Sequence, residues 1–216
     1  LDLSCADPTV LEVGPGVGYF AKEWRKRFPD GNYFVLESDV SLYPILREQG
    51  IRVLDKCIGQ LENSCVDVCV MSHVLEHVIH PSDLLQDVNR NLRDNGLLFV
   101  EVPCLDFMYK DVHEPHMLFF SREALANCAK KAGFSNLLLT YHGDKISQIR
   151  RYDLLRRILI KLSRITNLPL TIGFGPTNDI IELYDFTDDQ ALAVAQTRPF
   201  VTQDVPSRWL RMVARK

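Results

Sequence analysis

The fold of this chain is decided by the stretch Val10-Leu11-Glu12-Val13-Gly14-Pro15-Gly16-Val17-Gly18-Tyr19. Its first four residues are mostly apolar, as in a buried strand, and a helical pattern begins directly after the last glycine. Glycines in the turn between them let the backbone approach a ligand where any Cβ would collide. The N–H groups at the start of the helix point towards the same place. The stretch therefore predicts a strand, a ligand-binding turn and a helix.

Apolar runs of strand length alternate with segments of helical period along most of the chain. This alternation is typical of βαβ units joined into a mostly parallel sheet. The predicted strands are Val10–Val13, Tyr33–Leu36, Ile51–Leu54, Val66–Met71, Leu97–Val102, Leu137–Tyr141 and Trp209–Ala214. The firmest predicted helices are one containing Phe20, Trp24 and Phe28, one from Leu84 to Leu92 that stops by Asn95-Gly96, and one between the N-cap Ser121 and Gly133.

The composition indicates one domain that acts on a small molecule. The chain has 216 residues, 46% hydrophobic and 25% charged, with a formal net charge of -3. This charge offers no overall field to attract nucleic acid or an anionic membrane. No apolar run approaches the roughly 20 residues that span a bilayer, and no secretory leader is recognised. We expect a single domain over residues 1–216, located in the cytoplasm, with no nucleic acid partner and no stable membrane insertion.

The alternating pattern breaks between residues 143 and 206. A basic amphipathic helix is predicted from Ile146 to Ile165, with leucine and isoleucine on one side and arginine on the other. Proline and glycine residues mark loops after it. We interpret residues 143–206 as an insertion before the last strand, which serves as a lid, a substrate element or the contact of a homodimer.

Two carboxylates accompany the glycine turn. Glu37 ends the second predicted strand, where a carboxylate can accept both hydroxyls of an adenosine ribose. Glu12 precedes the turn and could face the cationic amino group of a bound amino-acid moiety. A nicotinamide-binding turn has glycines at its first, third and sixth positions, whereas the sixth position here is Tyr19. The spacing of the glycines favours a different cofactor.

Five segments follow one another along the chain: VLEVGPGVGYF, VLESD, VDVCVMSHVLEHV, NGLLFVEVP and HMLFFSREALANCAKKAGF. In this order and spacing they resemble the motifs of class I S-adenosylmethionine-dependent methyltransferases, from Thr9 to Thr140. The closing WLRMVARK is similar to the antiparallel last strand of that family. The resemblance implies a Rossmann-like α/β three-layer sandwich with a seven-stranded, mostly parallel sheet. It also implies S-adenosylmethionine as cofactor and S-adenosylhomocysteine as product.

The predicted cofactor-binding residues lie in the glycine turn and at the ends of three later strands: Glu12, Gly14, Pro15, Gly16, Gly18, Glu37, Ser38, Asp55, Ser72 and His73. By the resemblance, the turn holds the methionine half of the cofactor, Glu37 and Ser38 contact the ribose, and Asp55 is the nearest match to a residue at the adenine. Ser72 and His73 leave the fourth strand at the carboxyl edge of the sheet, where ligands of such sheets bind. No metal is predicted in this site.

A second motif supports a rival class of enzyme. His73-Val74-Leu75-Glu76-His77 matches the H-x-x-E-H signature of a group of zinc peptidases. Two imidazoles four residues apart on a helix could share a metal ion. The motif follows a predicted buried strand within βαβ units, however, and the sequence marks no third ligand. A zinc hydrolase therefore stays as one alternative, and a non-catalytic cofactor-binding or scaffold domain as another.

The segment His113-Glu114-Pro115-His116 follows the fifth predicted strand and reaches the same edge of the sheet. An imidazole with a pKa near neutral is a natural general base. The stretch from VEVPC to HEPHMLFFS is also similar to part of the sugar C-methyltransferases, whose segment rich in His and Glu serves acid–base chemistry. We predict His116 or His113 as the base for methyl transfer to an oxygen or carbon of a small molecule, such as a sugar or secondary metabolite. The alternative is that both are solvated loop residues. Further cleft candidates are Asp106, Tyr109 and Tyr19.

Overall fold

The computed structural model describes residues 7–54, 61, 64–109, 116–151, 154, 155, 158, 161 and 202–216. Within them a single sheet is formed by β1 (Val10–Val13), β2 (Tyr33–Leu36), β3 (Arg52–Leu54), β4 (Val66–Ser72), β5 (Leu92–Pro103), β6 (Ser135–Lys145), β7 (Thr202–Gln203) and β8 (Ser207–Arg215). The helices are α1 (Tyr19–Arg27), α2 (Tyr43–Glu48), α3 (Pro81–Asn91) and α4 (Arg122–Lys131), and residues 146–151 are also helical.

The strand order is β3-β2-β1-β4-β5-β8-β6-β7. Strands β1 to β5 are parallel to one another, and β8 runs antiparallel to both β5 and β6. The chain moves outward from β1 to β3 and then returns to place β4 on the other side of β1. Ligands of open α/β sheets bind beyond the carboxyl ends of the strands where the order reverses in this way. The fold therefore indicates a ligand site at the segments that follow β1 and β4.

The two faces of the sheet are covered by apolar side chains that alternate along each strand. In β1, Leu11 and Val13 join one core cluster, while Val10 joins the cluster on the other face. Ala21 of α1 packs in the same cluster as Val10. All four of these side chains are buried, and burial of a larger apolar side chain contributes about 1.5 to 3 kcal/mol. This packing fixes the position of the turn between β1 and α1.

All seven predicted strands are present, and the antiparallel strand is β8, so the predicted Rossmann-like sandwich is confirmed. The additional strand β7 has two residues, too few to carry a periodic pattern. The prediction that the second helix reaches Leu92 is wrong, because Leu92 pairs with Val66 and opens β5. The predicted N-cap is confirmed, since Ser121 Oγ accepts a hydrogen bond from Ala124 N at 3.1 Å.

Most of the predicted insertion at 143–206 lies outside the described residues. Strand β6 extends to Lys145, and the predicted basic helix is described only in part. On its predicted apolar side, Leu154, Leu155 and Ile158 are exposed. Among the helices that the structure describes, none combines the length and the apolar character needed to cross a membrane.

Candidate active site

The glycine turn follows β1 at the reversal of strand order. Gly14, Gly16 and Gly18 have φ angles of 69°, 55° and 83°, in the region that a Cβ disfavours. A Cβ added to Gly14 would lie 2.5 Å from Cγ2 of Val74, so the backbone is in close contact with the segment after β4. Nothing lies within 4 Å of a Cβ added to Gly16. The turn is packed at its first glycine and open at its second.

Glu37 is held beside the turn by backbone donors. Its Oε1 accepts hydrogen bonds from Ser38 N at 2.7 Å and Asp39 N at 2.9 Å. Its Oε2 accepts one from Gly16 N at 3.2 Å. The side chain is 8% exposed, so the carboxylate is fixed in one position next to the open space at Gly16. As predicted, Glu37 directly follows the second strand, and the three backbone N–H groups hold its carboxylate in place.

Glu12 is buried beneath the turn. Tyr33 donates its hydroxyl hydrogen to Glu12 Oε2 at 2.7 Å. Burial raises the pKa of Glu12 to about 7; the bond from Tyr33 opposes this rise and the charge of Glu37 adds to it. Near neutral pH, Glu12 therefore exists in both protonation states. A cation placed against it would favour the ionised form.

His73 lies at the end of β4 between a carboxylate of the following turn and a carboxylate of β5. It follows Ser72, the last residue of β4, and has a φ of 57°. Its Nδ1 lies 3.4 Å from Glu76 Oε1 and its Nε2 lies 3.4 Å from Glu101 Oε1. Burial alone lowers the pKa of His73, but the hydrogen bonds and charges of the two carboxylates outweigh it and raise the pKa to about 9. His73 is therefore protonated at neutral pH and cannot act as a base there.

Glu101 also forms an ion pair with Arg211 of β8. Burial acts to raise the pKa of Glu101, but the bonds and charges of His73 and Arg211 lower it overall. The ring of Trp209 contacts the ring of His73 edge-on, at 4.7 Å between centroids. The wall on this side of the site is therefore built by β4, β5 and β8 together.

His116 lies next to the segment that follows β4. Its Nδ1 is 2.6 Å from Oδ2 of Asp106, whose side chain is 4% exposed. Its ring contacts the ring of His77 edge-on at 4.8 Å between centroids. The backbone nearby is anchored because Met117 N donates to Glu76 O at 2.9 Å. Asp106 thus holds the imidazole of His116 in a fixed orientation.

The structure brings together most of the predicted site residues. The glycine turn, Glu12, Glu37, Ser38, Ser72 and His73 lie around the carboxyl ends of β1, β2 and β4. Asp55 and His113 lie outside the described residues. The sequence did not identify Glu101 as a site residue, and it indicated Glu76 only as part of the H-x-x-E-H motif of the zinc-hydrolase alternative. An isolated acid within an apolar strand, as in NGLLFVEVP, was the available signal for Glu101.

The zinc-hydrolase alternative would place His73 and His77 on one helix face, and the described backbone does not do so. His73 has a positive φ, and Leu75–His77 forms a single 3-10 turn. The local backbone is therefore not the helix that the zinc-peptidase motif requires.

The sequence matches a family of known activity. Residues 3–139 match the family model described as Methyltransferase domain, which is more than half of the chain. No curated protein matches the chain. The chain thus belongs to the methyltransferase-domain family. It is an S-adenosylmethionine-dependent methyltransferase with a class I, Rossmann-like fold.

Solved structures share this fold. An S-adenosylmethionine-dependent methyltransferase from Thermotoga maritima, described as a possible histamine N-methyltransferase, has a TM-score of 0.62 and 17% identity, covering 97% of this chain and 82% of that one. A methyltransferase from Archaeoglobus fulgidus has a TM-score of 0.60 and 15% identity, covering 97% and 86%. A Haemonchus contortus phosphoethanolamine N-methyltransferase, solved with S-adenosylhomocysteine, has a TM-score of 0.59 and 15% identity, covering 97% and 49%. At these identities the likeness concerns the fold alone.

Proposed function

We propose that the protein transfers the methyl group of S-adenosylmethionine to an oxygen or carbon of a small-molecule acceptor. The observation that carries the proposal is the open space at Gly16, bordered by the fixed carboxylate of Glu37. A backbone that leaves room for a ligand, next to a carboxylate oriented by N–H donors, suits an adenosine-containing cofactor.

The turn and its neighbours divide the cofactor between them in this proposal. Glu12 and the residues Gly14, Pro15, Gly16 and Gly18 hold the methionine half, with Glu12 ionised against its ammonium group. Glu37 and Ser38 bind the ribose, while Ser72 and His73 line the side towards β4. For Asp55 we retain the predicted adenine contact. The bound sulfonium supplies an activated methyl group, so the main task of the protein is alignment and exclusion of water.

His116 activates the acceptor in this proposal, because the contact of its Nδ1 with the buried Asp106 carboxylate fixes the orientation of the ring. His113 remains the other predicted base. The charged state of His73 excludes it from that role at neutral pH. Removal of a proton by a positioned base contributes about 10² to 10⁴-fold to a rate, which suits an acceptor hydroxyl or an activated carbon.

The class of acceptor is a further part of the proposal. The similarity of the segment around His116 to sugar C-methyltransferases favours a sugar or a secondary metabolite. Two solved relatives are described as N-methyltransferases, one with phosphomonomethylethanolamine bound, so small amines belong in the same screen. The insertion at 143–206, a homodimer contact within it and a cytoplasmic location stay predictions.

The proposal is tested by measuring S-adenosylhomocysteine formation from S-adenosylmethionine across a panel of hydroxylated, carbon-acidic and amine acceptors. We expect turnover with a hydroxylated or carbon-acidic acceptor, and a large loss of that turnover in His116→Ala. Turnover with amines only, at a rate that His116→Ala leaves unchanged, would contradict the choice of acceptor and of base.

A further inference from the structure

We propose that Glu76, His77 and His116 bind one divalent transition-metal ion of the zinc type, although the sequence predicted no metal here. One donor atom from each of the three residues lies within 4.8 Å of the others. Ligands around tetrahedral zinc, with bonds of about 2.0 to 2.2 Å, stand roughly 3.4 Å apart. Small side-chain rotations therefore suffice to close the three donors around an ion.

Glu76 is the strongest reason to place a cation there. Its side chain is 1% exposed, and among the described residues its carboxylate has only the long contact of Oε1 with the His73 ring, while Oε2 has no hydrogen-bond partner. The nearest described cation is His73, at 3.4 Å on one side. A buried carboxylate is costly unless its charge and its lone pairs are satisfied. A metal ion on the side of His77 and His116 would satisfy them.

A buried carboxylate contacts the ring of one of the three residues, as is common in metal sites. Metal-bound histidines usually donate their other ring N–H to a carboxylate, which fixes the tautomer and the ring. Asp106 Oδ2 occupies this position at 2.6 Å from Nδ1 of His116, and the Asp106 side chain is 4% exposed. In this proposal the ligand atom of His116 is Nε2.

The backbone ties two of the ligands to each other. Met117 N and Leu118 N both donate to the carbonyl oxygen of Glu76, at 2.9 and 3.1 Å. The segment that begins at His116 is thereby pinned to the 3-10 turn that carries Glu76 and His77. The three donors thus come from two segments held together before any ion binds, which is the preorganisation that a metal site needs.

The donor set selects the metal and leaves room for a substrate. Two imidazole nitrogens and one carboxylate oxygen suit zinc, whereas magnesium and calcium prefer oxygen ligands. Glu76 is buried and His77 is exposed, so an ion enters from the side of His77. Three protein ligands leave a fourth position open, as in catalytic zinc sites.

This open position changes the part of His116 in the proposed reaction from that of a base to that of a metal ligand, and this change rests on the proposed function. An acceptor hydroxyl at the fourth position loses its O–H bond more easily because the ion stabilises the oxyanion. The proton leaves to water, and His116 then works as a ligand through Nε2. Metal binding itself does not depend on the identity of the acceptor.

The test is a titration of the chelator-treated, metal-free chain with Co²⁺ alone, followed by its visible d–d absorption. We expect one equivalent to bind with the spectrum of a four- or five-coordinate ion, and Zn²⁺ to displace it. His77→Ala and His116→Ala should weaken binding by more than about 100-fold, and Asp106→Asn by about 10 to 100-fold. His80→Ala is the matched control, because His80 is an exposed histidine outside the cluster, and it should bind like the wild type.

Calorimetric titration of the same proteins with S-adenosylhomocysteine shows whether each variant is folded and separates the two proposals. Wild-type protein that binds S-adenosylhomocysteine but gives no cobalt spectrum would overturn the metal site and leave the proposed function standing. So would cobalt binding that His77→Ala leaves unchanged. Cobalt binding without S-adenosylhomocysteine binding would support the metal site and contradict the proposed function.

Discussion

Asp106 Oδ2 lies 2.6 Å from Nδ1 of His116, and both side chains are nearly buried. Asp106 opens a short 3-10 turn after β5, while His116 precedes α4, so ten residues separate the pair in the sequence. The contact fixes the orientation of the His116 ring. It therefore links the end of β5 to the residue that we propose acts on the acceptor.

We predict that Asp106→Asn lowers kcat by about 10 to 100-fold, because the amide no longer selects the tautomer of His116. The KM for S-adenosylmethionine should stay within about twofold, since Asp106 lies on the acceptor side. Steady-state kinetics with an identified acceptor, together with the pH profile of kcat, measure the effect. An unchanged pH profile with only a lower melting temperature would reduce Asp106 to a structural role.

The double variant His113→Ala/His116→Ala should lose about 10² to 10⁴-fold in turnover, while its affinity for S-adenosylhomocysteine stays nearly intact. Both histidines are predicted to act on the acceptor and not on the cofactor. Single-turnover rates and calorimetry on the same protein provide the two readouts. Unchanged turnover would remove both residues from the mechanism.

The affinity for S-adenosylhomocysteine should increase as the pH rises through about 7, because burial raises the pKa of Glu12 to about 7. A cationic amino group binds the ionised form of Glu12, so binding releases a proton below that pH. Calorimetry in buffers of different ionisation enthalpy measures this release. In Glu12→Gln the dependence should disappear; if it persists, another group is responsible.

Gly16→Ala should mainly weaken ligand binding, whereas Gly14→Ala should mainly destabilise the fold. At Gly16 the added methyl group meets no atom, so the cost in stability is the backbone strain of about 1 to 2 kcal/mol. At Gly14 the methyl group would lie 2.5 Å from Cγ2 of Val74 and should destabilise the fold further. Gly16→Ala should stay folded yet bind S-adenosylhomocysteine at least about tenfold more weakly, because it fills the space meant for the ligand. Thermal unfolding and calorimetry distinguish the two; full affinity in Gly16→Ala would place the cofactor elsewhere.

Replacement of His73 should show a pH-dependent effect on stability. The pKa of His73 rises from its ordinary 6.5 to about 9 in the folded chain. Its contribution to stability is therefore fully present below 6.5 and is lost as the pH rises through about 9. Urea unfolding should show a larger deficit for His73→Gln at low pH than above pH 9. A deficit that is constant across this range would contradict the ion pairs with Glu76 and Glu101.

The sheet could be predicted from the sequence because buried parallel strands are short apolar runs and the glycine turn has a distinct pattern. Val10–Val13 and Tyr33–Leu36 were predicted to the residue. Glu37 could be placed because it directly follows a strand whose end faces the site. These features depend on local pattern, which a single sequence contains.

The contacts of the histidines could not be read from the sequence in the same way. The H-x-x-E-H spacing suggested a helix, but the positive φ of His73 breaks the periodicity after β4. The true neighbour of His77 is His116, 39 positions along the chain, and only the folding of two loops brings the rings to 4.8 Å. The spacing in the sequence therefore indicated histidines at the site, but it paired His77 with His73, whereas His77 contacts His116.

The most direct test of the central claim is calorimetric titration of the wild-type chain with S-adenosylhomocysteine, with Glu37→Gln as the comparison. The account predicts one site per chain and a clear loss of affinity in Glu37→Gln, whose amide replaces one acceptor oxygen by a donor next to the ribose. Absence of binding at millimolar ligand, or equal affinity of the two proteins, would contradict it.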